Sequence, residues 1–432
     1  MNRLIFFLIF VFAIFGFILW PRQIKKTART VTPPNGRYMV VGTGNPGKVI
    51  LYTRTGENFT LAKSIDTGFQ FVHTVRLGDI YNNGSLSIIA GVSNGFYRDP
   101  YGCKVIAYDL SSFQQTLIDD VGDLRCKDLT VGDAENNGKN AIVLGTHGEG
   151  LVKVYTWIKN EWQKTTIEIN YIAQIDAQNH TNHRVPNSDV PCPTCLIQTA
   201  VHIVKIGDID NDGKNEIITT DSSPLELKKE EEISFIRVYR KSGDTWTSQT
   251  IDSTSGQEFR SITIADVHGN GKNTLLVGLG SPRNNPGSFL AYDFTNGVWE
   301  KTVIHKDDTE LNMKGVDVGE INGTARSVLL ATGFPNANIM TFHWDGKGYV
   351  PTPVGSIRTI FNVPNSQFNS MAAAIVPETK SAFVVAGNTV FPQQNIGWET
   401  TNKGFLVLYL GRLGTWTPTI LSQDNVLALD VL

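Results

Sequence analysis

The chain has 432 residues, of which 18% are charged and 41% hydrophobic, with a formal net charge of −3. That balance excludes a basic field suited to nucleic acid, and forty glycines against five methionines suit a turn-rich β protein. Residues 4–20, LIFFLIFVFAIFGFILW, form an unbroken apolar run near the lower limit for crossing a bilayer. The run ends in Trp20-Pro21 without a small-residue cleavage pattern, so residues 1–21 are predicted as an uncleaved signal anchor rather than a cleaved signal peptide. Residues 22–36 read as a polar tether. Arg22, Lys25, Lys26 and Arg29 follow the run while only Arg3 precedes it, which favours keeping that flank in the cytoplasm. Glycosylation sequons at Asn58, Asn83, Asn179 and Asn322 pull the other way. The expectation is a membrane-anchored chain with residues 37–432 outside the cytoplasm, or secreted if the anchor is cut.

From residue 37 the chain repeats. Residues 204–220, VKIGDIDNDGKNEIITT, are an apolar strand, a polar loop and a second apolar strand. Asp208, Asp210, Asp212 and Glu216 stand at loop positions one, three, five and nine, with Gly213 at six, where the chain must turn sharply. Ca²⁺ takes six to eight oxygens, and this spacing offers a short loop's worth of them. Related units occupy residues 75–91, 129–145, 262–278 and 316–333. Asp133, Glu135 and Asn137 make a weaker second site, while Tyr81 and His268 interrupt the other loops. A strand-rich unit recurring at about fifty residues is the mark of a propeller or solenoid.

This pattern resembles the FG-GAP/VCBS repeats of integrin-α-like β-propellers, over nearly all of the chain after its N-terminal segment. The resemblance implies a propeller, a structural calcium ion in the Asp208 loop, and a mostly extracellular family that binds proteins or carbohydrates.

A second repeat counts the blades. Strands ending in an aromatic recur as KVILYTR, KVIAYDL, LVKVYTW, FIRVYRK, SFLAYDF, NIMTFHW and FLVLYLG, with Trp162, Trp246, Trp299 and Trp416 in the partner strands. These aromatics are expected to pack between blades. The fold class is therefore all-β: a seven-bladed β-propeller after an N-terminal transmembrane segment. Residues 426–432 return to pair with the first strand and close the ring.

The long insertions, at residues 93–102, 169–200, 222–232 and 388–403, fall on the face opposite the cation loops. Loops on a rigid scaffold are where binding concentrates. Six residues before each loop acid stands a basic group: His73, Lys127, His202, Arg260 and Lys314, with Asn369 or Ser370 in the sixth repeat. Such a ring suits an anionic or polar ligand. Cys192-Pro-Thr-Cys195 follows His180 and His183 in the longest insertion, a set that could hold zinc. In an oxidising compartment Cys192 could instead pair with Cys195, and Cys103 with Cys126; free thiols are the third option. Two functions follow. One is a membrane-tethered, calcium-stabilised ligand-binding or adhesion propeller with a protein or carbohydrate partner. The alternative is a carbohydrate-active enzyme of lyase or dehydratase type, with His73, His202 and Lys127 as its catalytic residues. A cytoplasm-facing scaffold is a weaker option.

Overall fold

The computed structural model describes residues 37–94, 102–123, 125–148, 150–169, 199–222, 233–280, 286–307, 313–320, 326–332, 338–356, 366–376, 381–390, 404–412, 415–424 and 426–432. The predicted anchor and tether, the His180/His183/Cys192/Cys195 set, the sequons at Asn179 and Asn322, and most of each long insertion lie outside them. Among the described residues no helix is long and apolar enough to cross a membrane.

Among the described residues every regular element is a strand. They are β1 (Tyr38–Thr55), β2 (Asn58–Gly78), β3 (Ser87–Ser93), β4 (Lys104–Asp109), β5 (Gln115–Asp120), β6 (Arg125–Gly132), β7 (Ala141–Gly148), β8 (Leu151–Ile158) and β9 (Glu161–Ile169). The series continues with β10 (Thr199–Gly207), β11 (Glu216–Ser222), β12 (Ile233–Ser242), β13 (Thr245–Ser255), β14 (Glu258–Ala265), β15 (Thr274–Gly280), β16 (Gly287–Thr295) and β17 (Val298–Asp307). It ends with β18 (Met313–Glu320), β19 (Arg326–Thr332), β20 (Asn338–Trp344), β21 (Tyr349–Ser356), β22 (Ser366–Val376), β23 (Ser381–Val390), β24 (Gly404–Arg412), β25 (Thr415–Ser422) and β26 (Val426–Val431).

Sequential antiparallel pairing builds sheets β14–β17, β18–β21 and β22–β25 in chain order. β6–β9 and β10–β13 are joined edge to edge where Ala200 of β10 pairs with His147 of β7. β1 and β2 are long because each pairs with two strands over different parts of its length, within one six-stranded sheet of order β26-β1-β2-β3-β4-β5. The first part of β1 pairs with β26 (Met39 opposite Val431) and its second part with β2 (Ile50 opposite Ser64). The far half of β2 then pairs with β3. β26 thus joins the last residues of the chain to its first described strand.

Burial grades from inner to outer strands. β3, β7, β11 and β15 are buried almost throughout, whereas β13, β17 and β25 are mostly exposed and rich in Thr, Ser and Lys. Core clusters form between neighbouring sheets: Val143, Val152 and Val154 meet Val201, Val204 and Tyr239. Each such aliphatic contributes about 1.5–3 kcal/mol on burial. The recurrent aromatics do pack there, and they bring polar latches. Tyr155 donates to Asp119 Oδ2 at 2.9 Å, and Lys153 and Lys164 hold the same carboxylate at 2.8 and 2.7 Å. Tyr292 repeats this with Asp252 and Lys301, at 2.6 and 2.7 Å. Cys103 and Cys126 are disulfide-bonded.

Candidate functional site

The loops after β2, β6, β10 and β14 share one construction. The first carboxylate takes two backbone N–H groups of its own turn: Asp79 from Asn83 and Gly84, Asp133 from Asn137 and Gly138, Asp208 from Asp212 and Gly213, Asp266 from Asn270 and Gly271. Neighbouring loops are clasped by asparagines. Asn211, in a left-handed conformation, accepts from Asn273 N and donates to Asn273 O, while Asn273 also donates to Asp208 O at 2.7 Å. Asn82–Asn140 and Asn136–Asn215 repeat the arrangement. The sequence reading missed this clasp, although an Asn at loop positions four and eight was its signal.

Only the Asp208 loop gathers ligands for a cation among the described residues. Asp208, Asp210 and Glu216 each offer an oxygen within 4.8 Å of the others. Asp210 Oδ1 is buried without a hydrogen-bond partner. Burial, reinforced by Asp210 and Asp212, raises Glu216 to about 8; burial and the same two neighbours raise Asp208. These are the marks of a carboxylate set short of positive charge, so the residues fit a hard cation. Two features limit it. Asp212 stands apart, its Oδ1 accepting from Lys214 N at 2.8 Å. Arg240 already sits 2.8 Å from Asp210 and 4.0 Å from Glu216. In the weaker Asp133 set, Asn137 donates to Glu135 Oε2 at 3.3 Å, and the other oxygen of Glu135 is ion-paired with Lys241.

At the other end of these strands lie the basic residues of the repeat, each at a β-bulge. Pairing skips one residue between Val72 and Thr74, between Cys126 and Asp128, between Val201 and Ile203, and between Phe259 and Ser261. The residues skipped are His73, Lys127, His202 and Arg260. The same skip falls at Lys314 in β18, at Asn369 in β22, and at Leu427 in β26. A bulge leaves its extra residue out of the ladder and re-aims its side chain. This is why one position stands out in strands that otherwise alternate. The side chains of Lys314 and Asn369 lie outside the described set.

Three further residues complete the cluster. Arg125 lies near enough to His73 and His147 to act on both imidazoles, and Glu258 is ion-paired with Arg260. His147 is the cross-strand partner of Arg125. Arg125, His147, His202 and Glu258 are buried. His202 Nε2 lies 3.7 Å from Glu258, which also pairs with Arg260. The imidazole of His73 stacks on Phe71 at 5.5 Å.

The electrostatics divide the basic set into neutral and charged members. All three imidazoles are held well below the ordinary histidine value, first by burial and then by nearby cations. These cations are Arg125 and Lys127 for His73 and His147, and Lys127, Arg260 and Arg125 for His202. At neutral pH the histidines are uncharged bases, and Arg125, Lys127 and Arg260 carry the positive charge.

No protein-family model matches the chain, and no curated protein matches it. Solved structures do resemble it. A candidate 6-phosphogluconolactonase from Bacteroides fragilis has a TM-score of 0.54 and 14% identity, covering 91% of this chain and 97% of its own. A second, from Bacteroides uniformis, has a TM-score of 0.55 and 11% identity, covering 91% and 99%. A hypothetical selenium-binding protein from Sulfolobus tokodaii has a TM-score of 0.55 and 10% identity, covering 93% and 94%. At these identities the likeness shows the fold, an all-β propeller, and nothing of the chemistry.

Proposed function

We propose that this protein is a carbohydrate-active propeller enzyme that takes an anionic sugar at the bulge-lined mouth. One observation carries the reading: three neutral imidazoles and the cations Arg125, Lys127 and Arg260 converge in one largely buried cluster. A neutral imidazole can remove the proton next to a sugar carboxylate, and fixed cations stabilise the charge that then develops on its oxygens. In an elimination of this kind the C–H electron pair forms the new C=C bond. The neighbouring C–O bond breaks, and the departing oxygen takes up a proton. His202 is the preferred base, because Glu258 stabilises the imidazolium it would become; His73 and Lys127 complete the set. The names of the two Bacteroides neighbours refer to a derivative of a sugar acid, which is in keeping with this ligand class.

The fold reading behind the site is a seven-bladed ring closed by β26, supported by the pairing of β26 with β1 and by the seven strands that share the bulge. The FG-GAP/VCBS resemblance belongs to the same reading, with Ca²⁺ held by Asp208, Asp210 and Glu216 as a structural ion. A membrane-tethered binding or adhesion propeller would use the same mouth without turnover. The deciding experiment incubates the purified protein with uronate-containing oligosaccharides and follows the ultraviolet absorbance of unsaturated products. Product formed by the parent and lost in His202→Asn supports the enzyme. A ligand-induced rise in melting temperature without product leaves the binding propeller, and neither response overturns both.

A further inference from the structure

The dipeptide Asn-Gly occurs within the described residues at 83–84, 137–138, 270–271 and 296–297. An asparagine amide is open to attack by the backbone nitrogen of the next residue, and glycine, with no Cβ, leaves that approach clear. All of these asparagines are exposed and all of these glycines have positive φ, so neither exposure nor glycine conformation separates the sites. Hydrogen bonding does. In the loops after β2, β6 and β14 both reacting groups are held. Gly84 N donates to Asp79 Oδ2 at 2.8 Å, Gly138 N to Asp133 Oδ2 at 2.8 Å, and Gly271 N to Asp266 Oδ2 at 2.7 Å. The side-chain oxygens of Asn83, Asn137 and Asn270 each accept from the N–H two residues on, at 2.9 Å. Asn296-Gly297 is instead the two-residue turn between Thr295 and Val298, which pair across β16 and β17. Its φ angles, 51° and 84°, are those such a hairpin demands. Among the described residues no hydrogen bond holds the Asn296 amide or the Gly297 N–H.

We propose that Asn296 is a self-modification site, converting to aspartate and isoaspartate, while the same dipeptide is protected in the three loops. The Gly297 nitrogen gives its proton to water, and its electron pair forms a new bond to Asn296 Cγ. The Cγ–Nδ2 bond breaks, and the nitrogen leaves as ammonia with a proton from solvent, so that a cyclic imide remains. Water then opens the ring at either carbonyl. One opening restores the normal backbone with an aspartate side chain; the other routes the backbone through Cβ and Cγ as isoaspartate. In the loops the same attack must first break a bond from the glycine N–H to a carboxylate and a second bond to the amide oxygen. The first aspartate of each loop therefore guards the dipeptide as well as shaping the turn. At the hairpin either product adds a negative charge to a tip whose strands already carry Asp293 opposite Glu300. Isoaspartate also lengthens the turn by a methylene, which the Thr295–Val298 pairing does not accommodate. β17 is a mostly exposed outer strand, so the loosening stays local. None of this depends on the sugar chemistry proposed for the mouth.

The test incubates the folded full-length protein in warm, mildly alkaline buffer beside a sample unfolded in guanidinium chloride. Digestion and mass spectrometry follow the amide-to-acid mass gain at each Asn-Gly, and electron-transfer fragmentation identifies isoaspartate. In the folded protein Asn296 should convert at least about tenfold faster than Asn83, Asn137 and Asn270, because two hydrogen bonds guard each of those. In guanidinium the rates should converge. Asp266→Ala, which releases the Gly271 N–H, should speed conversion at Asn270 and leave Asn83 and Asn137 slow. Should that variant fail to fold, the folded and unfolded parent still decide. Equal rates in the folded protein, an Asn296 that converts only when unfolded, a disparity that survives unfolding, or an Asn270 rate unmoved in folded Asp266→Ala overturns the proposal.

Discussion

The two ends of the inner strands enclose ionisable groups of opposite sign. At the loop end, burial pushes the carboxylates of Asp208 and Glu216 toward their protonated forms. At the bulge end, burial pushes the imidazoles of His73, His147 and His202 toward their neutral forms. Enclosure discharges whichever group it surrounds unless a counter-charge arrives. The difference therefore says what each end lacks: a cation at the loops and an anion at the mouth.

Removing the strand that pairs the last residues with the first has the largest expected effect. Deleting residues 426–432 takes away Val426, Ala428, Leu429 and Val431, all buried, and unpairs β1. Calorimetry should show the whole domain melting far below the parent, at a cost of about 1.5–3 kcal/mol for each large aliphatic lost. A parent-like melt would mean that β26 does not close the ring. Next is the chemistry of the mouth. Replacing His73 and His202 together with asparagine should lower turnover about 10²–10⁴-fold while far-UV circular dichroism is unchanged. Undiminished turnover would remove them from proton transfer.

The comparison is sharpened by pH, because the ends respond with opposite signs. Glu216 is raised from 4.5 to about 8, so its contribution is present below pH 4.5 and lost as pH rises toward 8 in calcium-free buffer. The histidines are lowered below 6.5, so theirs is present above 6.5 and lost as pH falls beneath it. Melting temperatures across pH 5–9 should show both slopes. Glu216→Gln should remove the alkaline loss, along with most of any stabilisation by Ca²⁺; a parent-like alkaline slope in that variant would refute the assignment. The smallest effect belongs to the clasp. Asn211→Ala deletes one donor and one acceptor between loops and should cost about 1–3 kcal/mol in urea unfolding.

The sequence carried the loop end and the blade aromatics openly, because strand–loop–strand repeats and terminal Tyr or Trp residues are written in consecutive positions. The mouth was half legible. His73, Lys127, His202, Arg260 and Lys314 shared a spacing, but the reason for it is a bulge, which only pairing reveals. Arg125 and Glu258 could not be placed from the two-residue period of a strand, because the bulges at Lys127 and Arg260 break it. Nor could His147, since it reaches the cluster across the β6–β7 pair and the β7–β10 junction. Charge state was likewise hidden: a list of basic residues reads as positive, and only burial among arginines makes the imidazoles neutral.

The central claim is that neutral imidazoles among fixed cations await an anionic sugar. Isothermal titration calorimetry near pH 7, with a uronate oligosaccharide and its neutral counterpart in two buffers of different ionisation enthalpy, tests it most directly. The acidic sugar should bind and the neutral one should not, with the same heat in both buffers, because the fixed cations meet the anion while the imidazoles stay neutral to act as bases. Equal binding of both sugars, or uptake of a proton as the acid binds, would contradict the account.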